Sequence, residues 1–388
     1  MKKYIWLTGS SLLWLLCACV PVKPPPEVII QNITATPAVI VEEISPSPLF
    51  FSAGTSAEFE IEAMMDVRGM NLSNQDVPDD ILATLSFDPA TQWSAADKPL
   101  ADELMDLGMN PGMGIRGLHA LGITGAGVNV AIIDQPMDSN HPEIMGKVVK
   151  YQVFGTDEMT SMHGPAVTSL LVGEHIGTAP GARVYFAAVP SWLEDARYYA
   201  DALDWVIAEN ESLPADQKIR VVSVSAFPSG IWSSYTAQED WDAAYQRALQ
   251  AGLVVLDVTF ENGITTVCTL DLANPDDVSA CLPDYLGPLD SPHQRIFIPS
   301  SHRTTAVESD GTVPDRYSYR YFGRGGMSWT APYLAGVMSL GWQINPRLSG
   351  AQMFDLLYAS APVDSNGSLF INPPAFIDRV RSDAAEYP

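Results

Sequence analysis

The run Val128–Ile133, VNVAII, is apolar at five of its six positions and rich in branched side chains. A strand with one wet face alternates polar and apolar residues. A near-continuous apolar run reads instead as a strand buried on both faces of a parallel sheet. Helices must then cover both faces, which places the chain in the α/β class. The run ends in Asp134, so the strand delivers a carboxylate to its C-terminal end, where ligands and chemistry gather in open α/β sheets.

The rest of the chain alternates in the same way, which implies parallel pairing with right-handed crossovers. Arg183–Val189 and Arg220–Ser225 read as strands. Between them Tyr199, Ala202, Leu203 and Val206 recur on one helical face. Trp241, Ala244, Tyr245 and Ala248 repeat that spacing before Gly252, a helix C-terminal signal. A strand over Leu253–Thr259 follows, then another over Arg295–Ile298, and Ser349 is placed to cap a last helix through Leu356 and Leu357.

Two further strings carry chemistry. In GMSWTAPYLAG, Gly325 and Gly326 lead into Ser328 and then an apolar helix, so the serine hydroxyl and N–H face a helix N-terminus, where an anion is stabilised. In HGPAVTSLLVG, His163 is followed by Gly164 and small or apolar residues, as in a helix packed closely behind an imidazole. Each residue has a plain alternative: Asp134 as an Asx turn, His163 as a hydrogen-bonded core histidine, Ser328 as a helix cap. The chain order Asp, His, Ser separates them from the other triad folds, which run Ser, Asp, His or His, Asp, Ser, and no GxSxG elbow occurs.

On these residues the chain resembles the subtilisin-like serine peptidases, the subtilases, over roughly residues 110–362. The family strings DTG, HGTHVAG and GTSMASPHVAG stand here as DQP, HGPAVTS and GMSWTAPYLAG. GTAPGARVYFAAV is similar to the family's GVAPGAKLYAVKV, and RVVSVSAF to its substrate-flanking strand ending in SLG. The resemblance implies a three-layer fold with a mainly parallel central sheet flanked by helices. It also implies a serine endopeptidase with Asp134, His163 and Ser328 as the catalytic triad, Ser225, Ala226 and Phe227 beside the substrate, and a peptide or protein as substrate. No cofactor is required. Two alternatives stay open: a subtilase-fold binding protein with impaired turnover, and a nonpeptidase serine hydrolase such as an esterase.

The departures from the family matter. Gln135 and Pro136 replace Thr and Gly after the aspartate. Phe227 replaces a glycine, and its bulk is expected to narrow the first specificity pocket. The family's second oxyanion donor is the asparagine of AAGNEG, matched here by GLVVLDVTFENG. Aligning Gly252 and Gly263 with the glycines of the family stretch puts Glu261 at that position, and a one-residue bulge would restore Asn262. Losing that donor costs about 10²- to 10³-fold in turnover, a figure that comes from subtilisin itself.

A net charge of −25, from 46 acidic and 21 basic residues, argues against nucleic acid and anionic membrane surfaces as electrostatic partners. It is compatible with structural calcium, which subtilases often bind. No acidic loop has EF-hand spacing, so no metal ligand is assigned. Lys2 and Lys3, an apolar stretch from Tyr4 to Leu16 and the string LCAC read as an export signal with a lipobox-like end, Cys19 being the residue to be lipidated. Membrane contact would then be through that lipid, with plain secretion as the alternative. Cys268 and Cys281 are close enough in sequence to bridge in an oxidising compartment. The expected organisation is a signal peptide at 1–19, a Pro-rich linker at 20–49, an N-terminal extension of unassigned role at 50–105 and a peptidase domain at 106–388. Within the extension, FEIEAMMDV reads as a strand.

Overall fold

The computed structural model describes residues 61–386, apart from 156–159, 260–262, 285–294 and 309–315, together with the backbone of 29–32. The export signal with Cys19, the oxyanion candidate Asn262 and His293 therefore lie outside the described residues, as does nearly all of the Pro-rich linker.

The chain is α/β, with helices on both faces of a parallel sheet. The strands run in the order Ile29–Asn32, Val148–Val153, Arg183–Ala188, Asn129–Asp134, Ile219–Val224 and Val254–Leu256, and every neighbouring pair is parallel. Asn129–Asp134 is buried along its whole length. Its side chains alternate between two cores, as a strand's period of two requires. Val130 and Ile132 face one cluster, with Leu170 and Leu171 of the His163–Val172 helix and Leu334 and Val337 of the Thr330–Ile344 helix. Ala131 and Ile133 face the other, with Tyr199, Leu203 and Val206 of the Ala196–Ser212 helix and Trp241 and Ala244 of the Gln238–Gln250 helix. Each buried Val, Ile or Leu contributes about 1.5–3 kcal/mol.

The chain leaves Asn129–Asp134 toward one edge of the sheet and returns on its other side at Ile219–Val224. That reversal opens a crevice at the strands' C-terminal ends, the position where such sheets bind ligands. Asp134 and Ser225 both stand there.

Two smaller sheets complete the fold. One orders Leu369–Phe370, Ile296–Ser301, Thr265–Thr269 and Leu282–Asp284; the other orders Arg303–Glu308, Tyr317–Phe322 and Ser86–Phe87. Cys268 and Cys281 are joined by a disulfide, 13 residues apart in sequence and both buried. Closing a loop of that length restricts the unfolded chain by about 3 kcal/mol. The double variant Cys268→Ser, Cys281→Ser is therefore expected to unfold at lower denaturant. A reductant should shift the native protein by the same amount and leave the variant where it is.

Expected and observed elements differ in two places. Residues 61–67 form no strand: the chain turns at Met64, whose φ is 67°, and only Asp66 makes a single bridge, to Ser86. The expected Leu253–Thr259 strand is confined to Val254–Leu256. It ends because the Asp257 carboxylate accepts hydrogen bonds from the N–H and hydroxyl of Thr259, at 3.2 and 2.7 Å, a local turn that competes with the ladder. Ser349 does cap its helix, Gly350–Ser360, in a reciprocal capping box with Gln352.

The N-terminal segment packs as a third cluster, in which Val67, Leu82, Leu85 and Phe87 surround Tyr321. Ser86–Phe87 pairs antiparallel with Tyr321 and Phe322, and the Gly323 N–H donates to Leu85 O at 2.8 Å. This segment therefore braces the chain that leads into Ser328.

Candidate active site

Asp134 ends the central strand, and its burial leaves the carboxylate 3% exposed. Oδ1 accepts the Gln135 N–H at 2.8 Å and His163 Nδ1–H at 2.7 Å. The imidazole is the first side chain of the His163–Val172 helix, and the backbone N–H of His163 donates to Ser161 Oγ at 2.9 Å. Ser161 in turn donates to Gln135 Oε1, and Gln135 Nε2 to Ser191 Oγ. Gln135, a departure from the family string, thus ties the aspartate loop to the start of the histidine helix. The approach is close: a Cβ on Gly164 would lie 2.3 Å from Gln135 O, so only glycine fits.

Burial favours the neutral imidazole, but the charge and the hydrogen bond of Asp134 outweigh it and raise the pKa of His163 above its usual 6.5. Trp329 lies across the ring, tilted by 30° with centroids 5.5 Å apart. Among the described residues Nε2 has no hydrogen-bond partner.

Ser328 sits in a short 3₁₀ turn, Met327–Trp329, immediately ahead of the Thr330–Ile344 helix. Pro332 occupies the first turn of that helix, where a missing N–H costs nothing. The loop before it is pressed on the second sheet. A Cβ on Gly325 would lie 1.9 Å from Ser300 O, and the Gly325 N–H donates to Ser301 Oγ at 3.1 Å. Ser328 Oγ donates to Ser225 O at 3.4 Å, and Ser225 Oγ donates to Ser328 O at 2.7 Å. Among the described residues there is no hydrogen bond between Ser328 and His163. Ser328 is nevertheless bound to Ser225, which lines one cavity with Asp134 and His163, and it adjoins Trp329, whose ring lies tilted against the imidazole.

That cavity, of about 230 Å³, also takes in Ala226 and Phe227, so the three candidate substrate-flanking residues share a wall with the Asp134–His163 pair. Glu194, Tyr199 and Tyr235 also line it. No sequence motif singled these out, nor Gln135, Ser161 and Ser191 as a hydrogen-bonded chain. They lie on loops or on a helix face whose spacing marks only burial.

The described histidines besides His163 are engaged elsewhere. Nε2 of His119 donates to Thr178 O and Nε2 of His141 to Ser318 O; His175 bonds Glu143 and His302 bonds Leu270 O. Among the described residues no three His, Cys, Asp or Glu side chains are grouped to hold a metal, and no helix is long and apolar enough to cross a membrane.

No family model matches the chain. Curated relatives do. It is 24% identical over 284 residues to the subtilisin-like protease PopC of Myxococcus xanthus, covering 63% of this chain and 57% of that protein. It is 25% identical over 262 residues to subtilisin E of Bacillus subtilis, covering 63% of each. To the extracellular serine proteinase of a Thermus species it is 24% identical over 312 residues, covering 74% of this chain and 70% of that one. The chain thus spans less than two thirds of the first two relatives. Among solved structures, the PatG macrocyclase in complex with peptide superposes with a TM-score of 0.52 at 15% identity, over 69% of this chain and 95% of that one. A chain of the periplasmic assembly from the ESX-5 inner membrane complex gives 0.50 at 16% identity, over 70% and 83%. At these identities the likeness is one of fold. In sequence the chain is thus similar to the subtilisin-like proteases, and in fold, a parallel α/β sheet flanked by helices, to the solved structures that superpose on it.

Proposed function

We propose that the chain is a serine endopeptidase that hydrolyses peptide bonds through an acyl-enzyme. Ser328 Oγ attacks the scissile carbonyl while His163 Nε2 takes its proton. Asp134 holds the proton on Nδ1 and stabilises the imidazolium, which then protonates the leaving amine; water, activated by the same imidazole, releases the acyl group. In this proposal the Ser328 N–H, just ahead of a helix, stabilises the oxyanion; the second donor that the sequence offers, Asn262 by way of a one-residue bulge, lies outside the described residues. The reaction as proposed draws only on these side chains and water.

The observation that carries this reading is the 2.7 Å Asp134–His163 Nδ1 hydrogen bond, with Nε2 free of any hydrogen-bond partner among the described residues. One observation favours a second reading, a binding protein of the same fold: Ser328 Oγ is turned to Ser225 O. Catalytic hydrogen bonds are often long before substrate arrives, and a rotation about the serine side chain would redirect this one. A fluorophosphonate probe separates the two. A live nucleophile gives one adduct per chain that maps to Ser328, and an unlabelled mature protein rejects the peptidase.

Phe227 adds bulk to the cavity wall, where it is 37% exposed. Phe227→Gly is expected to raise kcat/KM for peptides with large side chains next to the scissile bond by about tenfold relative to small ones. Unaltered preference in a peptide library would show that Phe227 does not shape the pocket. For location, the Lys2–Leu16 segment and Cys19 support export with lipid anchoring, which mass spectrometry of the mature N-terminus tests.

A further inference from the structure

We infer that the cavity beside His163 selects a cationic side chain of the substrate, lysine or arginine, and that Glu194 is its counter-charge. The inference rests on the peptidase reading and goes beyond it by naming a substrate class.

Glu194 differs from the many other acids of this chain in three ways. It lines the cavity that holds Asp134 and His163. Its backbone is in the left-handed region, φ 48° and ψ 42°, which is unfavourable for a residue with a Cβ. Thr236 holds it there, donating to Glu194 O from its N–H at 2.8 Å and from its hydroxyl at 3.3 Å. It also lacks a cationic partner among the described residues. The nearby Arg197 is committed to Asp195, which it grips through Nε and Nη2 while Asp195 caps the following helix. Among the described residues no lysine or arginine pairs with Glu194.

The rest of the cavity suits a cation. Tyr199 and Tyr235 stand edge to face, 5.5 Å between centroids, with their hydroxyls 3.3 Å apart. Such rings attract ammonium and guanidinium groups through their faces and offer oxygen acceptors at their tips. Burial holds Tyr235 in its neutral form, and the charges of Asp134 and Glu194 reinforce this, so both carboxylates act on the same space. Among the described residues no lysine or arginine lines the cavity. His163 is neutral whenever it is ready to act as base, so two anions face an incoming cation. Phe227, which lines the cavity and is partly exposed, gives the aliphatic stem of a lysine or arginine an apolar edge.

The test is a peptide library in which each position flanking the scissile bond is occupied in turn by Lys, Gln or Glu. At one position kcat/KM for Lys is expected to exceed that for Gln by about tenfold and that for Glu by more, the gap shrinking as salt rises. Glu194→Gln should abolish the Lys preference with turnover of the Gln peptides kept, and Glu194→Lys should reverse it in favour of Glu. Loss of all activity without reversal cannot come from a counter-charge and would reject the inference, as would an unchanged preference in Glu194→Gln. The same peptides are titrated against Ser328→Ala by calorimetry, where no turnover is needed. Tighter binding of the Lys peptides, lost in the double variant with Glu194→Gln, supports the inference even if the peptidase reading fails. Equal binding of Lys and Glu peptides overturns it even if peptides are cleaved.

Discussion

Ser328→Ala is expected to lower peptide hydrolysis by on the order of 10⁶-fold, the scale on which a triad nucleophile acts. The proposed first step forms a bond from this oxygen to the scissile carbon, and alanine has no atom to form it. Fold and stability should hardly change. The hydroxyl is half-buried and makes one long hydrogen bond, 3.4 Å to Ser225 O, while the Ser225 Oγ bond to the backbone oxygen of residue 328 survives the substitution. Removing so weak a contact costs at most about 1 kcal/mol. Circular dichroism and denaturant titration should therefore overlay the parent while fluorophosphonate labelling and peptide cleavage vanish together. Labelling that persists in Ser328→Ala, at a serine elsewhere, would dismiss the proposed mechanism.

What could be read in the sequence follows physical strength. Asn129–Asp134 was legible because a strand covered on both faces leaves no polar positions, and the Thr330–Ile344 helix because it is buried along most of its length. Asp134 and His163 stand 29 residues apart in sequence, yet both sit at element ends defined by such runs, and the resemblance of their strings to the subtilases is what joined them before the 2.7 Å hydrogen bond did. The chain Ser161–Gln135–Ser191 was not legible, since its members lie on three loops and the pattern of apolar residues says nothing about which loops touch. Nor was Glu194: a left-handed glutamate clamped by Thr236 has no compositional signature. The segment at 61–67 was misread because its apolar residues lack clear alternation, and the turn at Met64 dominates. In the folded chain that segment bonds through Met65 and Val67 to Ser86, next to the Leu85 oxygen that accepts the Gly323 N–H on the approach to Ser328, a long-range arrangement that local propensity cannot report.

Asp134→Asn is expected to lower kcat/KM about 10⁴-fold near neutral pH and to displace the pH profile. Two effects combine. An asparagine side chain can present its amide N–H to His163 Nδ1, which puts the imidazole proton on Nε2, where the serine proton must go. It also removes the negative charge that, with its hydrogen bond, raises the pKa of His163 against the opposing effect of burial. Since the base must be neutral, activity of the parent falls as pH drops through a value above 6.5. In Asp134→Asn burial acts unopposed, so the limb moves to lower pH. Stability carries the same signature with its own sign. A folded-state pKa raised above the unfolded value stabilises the fold fully below the unfolded pKa and ceases to do so as pH rises through the folded one. The variant should therefore lose more stability at pH 5 than at pH 9, measured by denaturant titration at both. A limb that stays in place while turnover falls would mean that Asp134 acts only by orienting the ring; a limb that moves down together with a larger deficit at pH 5 identifies the carboxylate charge as what makes His163 a base.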